Sequence, residues 1–350
     1  MKYLPVKVIK TLYLKFTALM PAFIRSLFIQ LLYVSGIKPT FNKSQSLKLN
    51  KGVVIFSADF ELAWAYRYSK NVKSPIEYGI NERNNIPLLL DLFEQYDIPV
   101  TWATVGHLFL EKCKIDSSGK IHADLPRPDF FENKNWCFNH GDWYQHDPCS
   151  NYKDAPAWYS PDLINKITQS KVQHEIGCHS FSHIDFTYKN CSEALADAEI
   201  NKCIDLAEKR NIRMKSFVFP GGTHGNYESL KKNGFICYRK SMFFNIDYPE
   251  IDKYGLVAIP SSMCLDKGAY KWKVKTYVRH AVKHIIKASR CKLVCHFWFH
   301  PSMNSWYLNK VLPEILRQVD IYRKKGQITV ITMGGLAEEI LKPQSINVNK

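Results

Sequence analysis

An α/β fold built on a parallel, wound sheet is what this sequence of 350 residues predicts. Short apolar runs alternate with segments of helical period, several runs stop at a carboxylate, a histidine or a Pro-Gly pair, and no solenoid-type repeat recurs. Val53 to Ala58 is a β-rich run ending at Asp59, the pattern of a strand covered on both faces. Asn81 to Gln95 carries Ile86, Leu89, Leu90 and Phe93 at helical spacing, and Pro99 to Gly106 forms a second strand. Cys113 to Tyr159 is irregular and rich in Trp, Asp, Asn and Pro. An insertion of that length, about 112–160, reads as a lid or binding wall. A strand around Ile176 follows, then a helix from about Ser192. Glu193 and Asp197 lie early in it and Lys209 and Arg210 late, the polarity a helix dipole favours. Ser216 to Phe219 is a strand stopped by Pro220-Gly221-Gly222. Later strands are expected at Phe235–Tyr238, Leu256–Ile259, Lys292–Phe299 and Ile328–Thr332, with a helix near Leu308–Lys324. Pattern alone does not separate a closed barrel from an open sheet.

At this length one large domain with an appendage fits better than two equal domains. Hydrophobic residues make up 46%, which argues against extensive disorder. Lys+Arg 48 against Asp+Glu 32 leaves a net charge of +16, a surplus that attracts anionic lipid or acidic glycan. Without zinc-finger spacing or an RNA-binding signature, nucleic acid is not an expected partner. Lys2, Lys7, Lys10 and Lys15 precede a largely apolar stretch that mimics the start of a signal peptide. Pro21 and Arg25 interrupt it, no Ala-x-Ala site follows, and Ser26 to Ile37 is too short to span a bilayer. Phe16, Phe23, Phe28 and Tyr33 interleaved with cations describe either a helix lying on an anionic membrane face or one packed on the domain. The expected division is a basic apolar segment over 1–47, a catalytic domain over 48–342 and a tail over 343–350. Ten Cys without a framework rhythm read as mostly buried thiols of a reducing compartment. The expected location is therefore the cytoplasm, peripheral on the inner membrane face. Oligomeric state stays open.

Three stretches carry chemistry. In Gln173 to His183, His179 and His183 stand four residues apart, a spacing that sets two imidazoles on one face of a helical turn and within reach of one ion. Imidazole suits Zn, Fe, Ni and Cu, and one carboxylate would complete a three-ligand site with room for water. The competing reading is a polar helix cap, which Ser180 and Ser182 would also suit. In Asp59-Phe60-Glu61, period 2 points both carboxylates to one side of a strand end. In Cys295 to Pro301, alternation sets His296, Trp298 and His300 on one side, with Pro301 ending the strand beside His300. A lone strand histidine is more often a core residue, and His296 fits that description.

The phrase His-Glu-Ile-Gly-Cys-His-Ser-Phe-Ser-His resembles the metal-binding motif of the polysaccharide deacetylases, carbohydrate esterase family 4. An early acidic pair, a Pro-Gly turn after a middle strand and a late His accompany it in the family's order. The resemblance spans roughly Lys51 to Leu341. It implies a distorted (β/α)7-type barrel, here with a basic N-terminal helical extension. It also implies a divalent ion, Zn expected, held by Glu61, His179 and His183, with Asp59 as base and His300 as general acid. The acids are spaced as in the Asp-x-Glu branch, and the residues alone leave the roles of Asp59 and Glu61 exchangeable. Trp64, Pro220, Gly221 and Trp298 are the expected substrate contacts, and Tyr66, Trp136, Trp143 and Trp158 stand in flanking loops. Many relatives carry an Arg in the Pro-Gly motif that orients the base. Phe217 to Gly222 has none, and Arg213 lies upstream, which leaves His224 and Arg239 as substitutes. The implied activity is metal-dependent removal of acetyl groups from N-acetylated sugars of a bacterial surface polysaccharide or its lipid- or nucleotide-linked precursor. The alternatives are a silent glycan-binding or scaffold protein, and a hydrolase of a non-sugar C–N bond.

Overall fold

The computed structural model describes residues 49–241, 246–266 and 274–342. The N-terminal segment with its expected membrane-surface helix, and the 343–350 tail, lie outside the described residues. Seven strand positions in chain order make one parallel sheet: β1 (Gly52–Phe60), β2 (Thr101–Thr104), β3 (Glu175–Cys178), β4 (Ser216–Phe217), β5 (Cys237–Lys240), β6 (Val257–Pro260) and β7 (Val294–Phe299). Their order in space follows the chain from β1 to β6, and β7 returns to pair with β1, Val53 opposite Val294 through Ala58 opposite Phe299. The ring closes at a bend after β6. Ser261 donates its N–H to Lys240 of β5 at 2.9 Å, while the next residue, Ser262, donates to His296 of β7 at 2.8 Å. Met263–Cys264 then runs parallel to β7. The sheet thus curls into the (β/α)7-type barrel that the resemblance implied, with β8 (Ile328–Val330) pairing with the beginning of β1.

Helices α1 (Pro75–Gln95), α2 (Pro161–Thr168), α3 (Glu193–Glu208), α4 (Tyr227–Lys232), α5 (Val274–Cys291), α6 (Leu312–Lys324) and α7 (Met333–Leu341) accompany the strands. Alternation along β1 separates two worlds. Phe56 and Phe60 point outward, and Phe56 packs edge-on against Phe93 of α1 at 5.4 Å. Val53 and Ile55 point inward to a smaller apolar cluster with Val218, Ile259, Met333 and Leu336. Met333 donates its N–H to Thr101 Oγ1, and Gly334 to Glu175 Oε2, both 2.9 Å, so α7 plugs the barrel at the strand beginnings. The opposite end stays open for polar groups.

Several elements differ from expectation. α1 begins at Pro75, a residue suited to the first helical turn, and continues through Pro87. α5 was not foreseen. The 113–159 insertion holds a small antiparallel pair, Phe131–Glu132 with Cys137–Phe138. All ten cysteines are free thiols.

Candidate active site

The strands end at a common level, because Asp59 stands opposite Ala103, Thr104 opposite Cys178 and Cys178 opposite Phe217. Residues just past those ends converge over the barrel mouth, where parallel-sheet proteins build sites. They line a cleft of about 870 Å³ that includes Asp59, Glu61, His179, His183, Arg239, Asp266 and His300.

Glu61 is the centre. Its Oε2 lies 2.8 Å from His183 Nε2 and 3.3 Å from His179 Nε2, and its Oε1 lies 3.4 Å from His300 Nε2. Burial alone would raise this carboxyl's pKa, but His183, His179 and His300 outweigh it and hold the group well below the usual carboxylate range. The same burial pushes the His183 imidazole below its ordinary value against the pull of Glu61. Beneath them, Glu82 of α1 accepts the Glu61 N–H at 2.9 Å. Burial and the charge of Glu61 push Glu82 well above the carboxylate range.

The two histidines do not sit on a helical turn. β3 ends at Cys178, and residues 179–183 form a bent loop in which Ser180 and His183 take left-handed backbone, φ 58 and 56. These bends bring the two rings to 5.0 Å. Glu199 of α3 holds the loop by accepting from Ser182 N–H and hydroxyl at 2.8 and 2.6 Å. His179 Nδ1 donates to Val218 O at 2.7 Å, which leaves Nε2 as the unprotonated nitrogen facing Glu61. That nitrogen is buried and has no hydrogen-bond partner. The donor atoms of Glu61, His179 and His183 lie within 4.8 Å of one another. An orphaned lone pair, a second imidazole and a carboxylate fit a divalent ion such as Zn with one position open to the cleft.

Asp59 is held apart from this trio. Arg239 of β5 grips it with two parallel bonds of 2.6 Å, and also donates to Ser57 Oγ at 3.1 Å. Ser57 Oγ in turn lies 2.8 Å from His296 Nε2. His296 is fully buried, and burial with the nearby Arg239 drives its pKa well below the ordinary value, so it is a neutral support under the site. The guanidinium sits 4.5 Å from the centroid of the Trp298 ring. Arg239 therefore takes the place of the Arg missing from the Pro-Gly motif, and His224 does not; it bonds Ser241 at 3.0 Å instead.

His300 faces Glu61 from the far side of the cleft. Asp266 Oδ2 lies 2.7 Å from its Nδ1, turning Nε2 to the cleft. Burial would lower this imidazole's pKa, but Asp266, followed by Glu61 and Asp59, raises it to about 10. Asp266 escaped sequence reasoning because the stretch around it shows no strand or helix period.

The expected substrate contacts divide. Trp298 and Gly221 line the cleft. A Cβ at Gly221 would stand 2.4 Å from Trp136 Cη2, and its φ of 57 suits glycine, so the turn and the Trp136 ring are built for each other. Trp64 is a correction: it is 1% exposed, packs at 4.2 Å on the His107 ring and bonds Trp158 O, so its indole belongs to the core. Pro220 is also buried and serves the turn, accepting from Thr223. Trp143 and Trp158 are core residues, whereas Tyr66 and Trp136 do face the cleft.

Residues 74–237, which include both histidines of the trio, match the family model described as polysaccharide deacetylase. Over that stretch the chain is similar to the polysaccharide deacetylases. Solved structures of the same fold include a protein assigned as a polysaccharide deacetylase from Mycobacterium smegmatis, at 13% identity and a TM-score of 0.57, covering 88% of this chain and 98% of that one. Another, so assigned from Pseudomonas aeruginosa PAO1, shows 11% identity and a TM-score of 0.55 over 82% and 89%. Puue allantoinase has 14% identity and a TM-score of 0.51, again over 82% and 89%. No curated protein sequence matches. Among the described residues, no helix is long and apolar enough to cross a membrane.

Proposed function

We propose that the protein hydrolyses the acetyl group of an N-acetylated sugar, within a bacterial surface polysaccharide or its lipid- or nucleotide-linked precursor. The observation that carries this reading is the Glu61 carboxylate faced by three imidazoles, beside an Asp59 held by Arg239, at the mouth of an open cleft. Glu61, His179 and His183 would hold the ion. When bound, a divalent ion supplies Lewis acidity, polarising the acetyl carbonyl and acidifying water. Asp59 accepts a proton from water, with Arg239 fixing the direction of its lone pairs. His300 returns a proton to the leaving nitrogen, and Asp266 keeps it aimed. Trp136 and Trp298 offer ring faces to the sugar.

The +16 charge and the cations of the N-terminal segment support docking on an anionic membrane face, on the cytoplasmic side. Liposome sedimentation of the full chain against one starting near Lys51 tests that docking; equal partitioning rejects it. Acetate release from N-acetylated sugars, free and nucleotide- or lipid-linked, with and without chelator, tests the activity. Release that chelator stops and Zn restores is the expected result. Glycan binding without release would favour the silent reading. Cleavage confined to non-sugar amides would favour the third, in which case the likeness to the allantoinase fold gains meaning.

A further inference from the structure

A second cluster of donors lies outside the cleft. His107, Cys113, His122 and Asp147 bring one ligand atom each within 4.8 Å of the others. His107 Nε2 is 2.9 Å from Asp147 Oδ2 and 3.2 Å from Cys113 Sγ. His122 Nε2 is 3.2 Å from the same Asp147 oxygen and 3.4 Å from the same sulfur. These separations are a few tenths of an ångström inside the ~3.3–3.8 Å that tetrahedral bonds of ~2.0–2.3 Å impose. His107 belongs to the turn at the end of β2, whereas the other three lie in the insertion, so the cluster joins insertion to barrel.

We infer that this cluster is a structural zinc site that clips the insertion to the barrel wall. Hydrogen bonds alone leave the cluster discordant. His107 Nδ1 faces Trp158 O at 3.3 Å while its Nε2 faces Asp147, so a neutral ring has one proton for two oxygens. Asp147 Oδ1 is already satisfied by Cys149 N–H at 2.9 Å and Tyr159 hydroxyl at 2.5 Å, leaving Oδ2 directed at both imidazoles. Zinc in place of the Nε2 proton resolves the conflict: His107 then donates Nδ1–H to Trp158 O and gives its Nε2 lone pair to the metal. The charges close as well, since one thiolate and one carboxylate offset Zn²⁺ while two imidazoles stay neutral, which suits side chains with almost no exposure. On binding, the Cys113 S–H proton leaves to solvent and the sulfur takes the metal. His122 takes left-handed backbone, φ 49, a conformation that aims its ring inward. Four protein donors leave no open position, the mark of a structural site. The clip would hold the segment that carries Trp136 over Gly221 and His183.

Cobalt reports this site separately from the Glu61 trio, because Cys113 puts a sulfur among its ligands whereas Glu61, His179 and His183 offer only oxygen and nitrogen. Full-length wild type loaded with Co²⁺ should bind about two equivalents and show a near-ultraviolet thiolate-to-cobalt charge-transfer band. His179→Ala/His183→Ala should lose one equivalent and keep the band. Cys113→Ser should lose the band. Wild type without the band, or a band that survives in Cys113→Ser, overturns the inference. One equivalent in wild type with the band intact would reject a metal at Glu61 while supporting the clip.

Discussion

Two buried clusters in this barrel gather imidazoles around one carboxylate oxygen, and they differ in what fills the remaining direction. At Glu61 that direction is the cleft; at Asp147 it is the sulfur of Cys113. The first trio sits past strand ends, on loops that line the open cleft. The second lies beneath the insertion, with His107 and Asp147 sealed from solvent. On the readings proposed above, the same chemistry would serve turnover or architecture according to whether a coordination position is left open.

The comparison breaks most readily at the cleft. Asp59→Asn keeps size and removes the proposed base, so turnover should fall by roughly 10²–10⁴ with metal content retained. If Glu61→Gln instead keeps the metal and abolishes turnover, the two acids exchange roles. Arg239→Met should slow turnover about 10–100-fold, as loss of a charged hydrogen bond worth ~1.5–3 kcal/mol implies. Arg239→Lys should recover only part, because an ammonium cannot reproduce the two parallel bonds. His300→Ala should slow amide cleavage more than cleavage of an ester with an activated phenolate, which leaves without a proton. Equal losses in a kinetic comparison of the two substrates would move His300 from acid to positioning.

Chelation sharpens the contrast further. Mild chelator should stop acetate release with little change in Tm. Stripping the clip as well should lower Tm by several degrees, since each kcal/mol lost shifts Tm by roughly 1.5–2 °C in a domain of this size, as scanning calorimetry would read. A third kind of imidazole gives the smallest effect. His174 lies outside both clusters, accepts the Val100 N–H at 3.1 Å, and burial lowers its pKa from 6.5 to about 4. The unfolded chain binds this proton first, so its contribution is complete above pH 6.5 and is lost as pH falls toward 4. Urea midpoints of His174→Gln should show a shallower pH slope there than wild type.

Strand ends were the legible part of this chain, because Asp59, the His179 pair and His300 each follow a short β-rich run and period 2 sets their side. The seven-membered ring was legible only through the family resemblance, since closure rests on Ser261 and Ser262 bonding opposite neighbours, a backbone event without a side-chain signature. α5 escaped because cations separate its buried Tyr277, Val278, Ala281, Ile285 and Ala288. His179 and His183 were brought together as their spacing implied, yet by left-handed loop residues instead of a helix. Trp64 misled because a loop position says nothing about which way an indole turns. His107, Cys113, His122 and Asp147 are scattered in sequence and meet only in space.

Arg239 changes what kinship should mean for such chains. The guanidinium that relatives carry in the Pro-Gly stretch arrives here from the neighbouring strand, and its fork still ends on Asp59. Strands around a ring all face the same lumen, so a charge has an address in space that more than one stretch of chain can serve. Inheritance can then move the residue while keeping the contact. A survey that strikes out sequences for a missing letter would discard some whose electrostatics are whole.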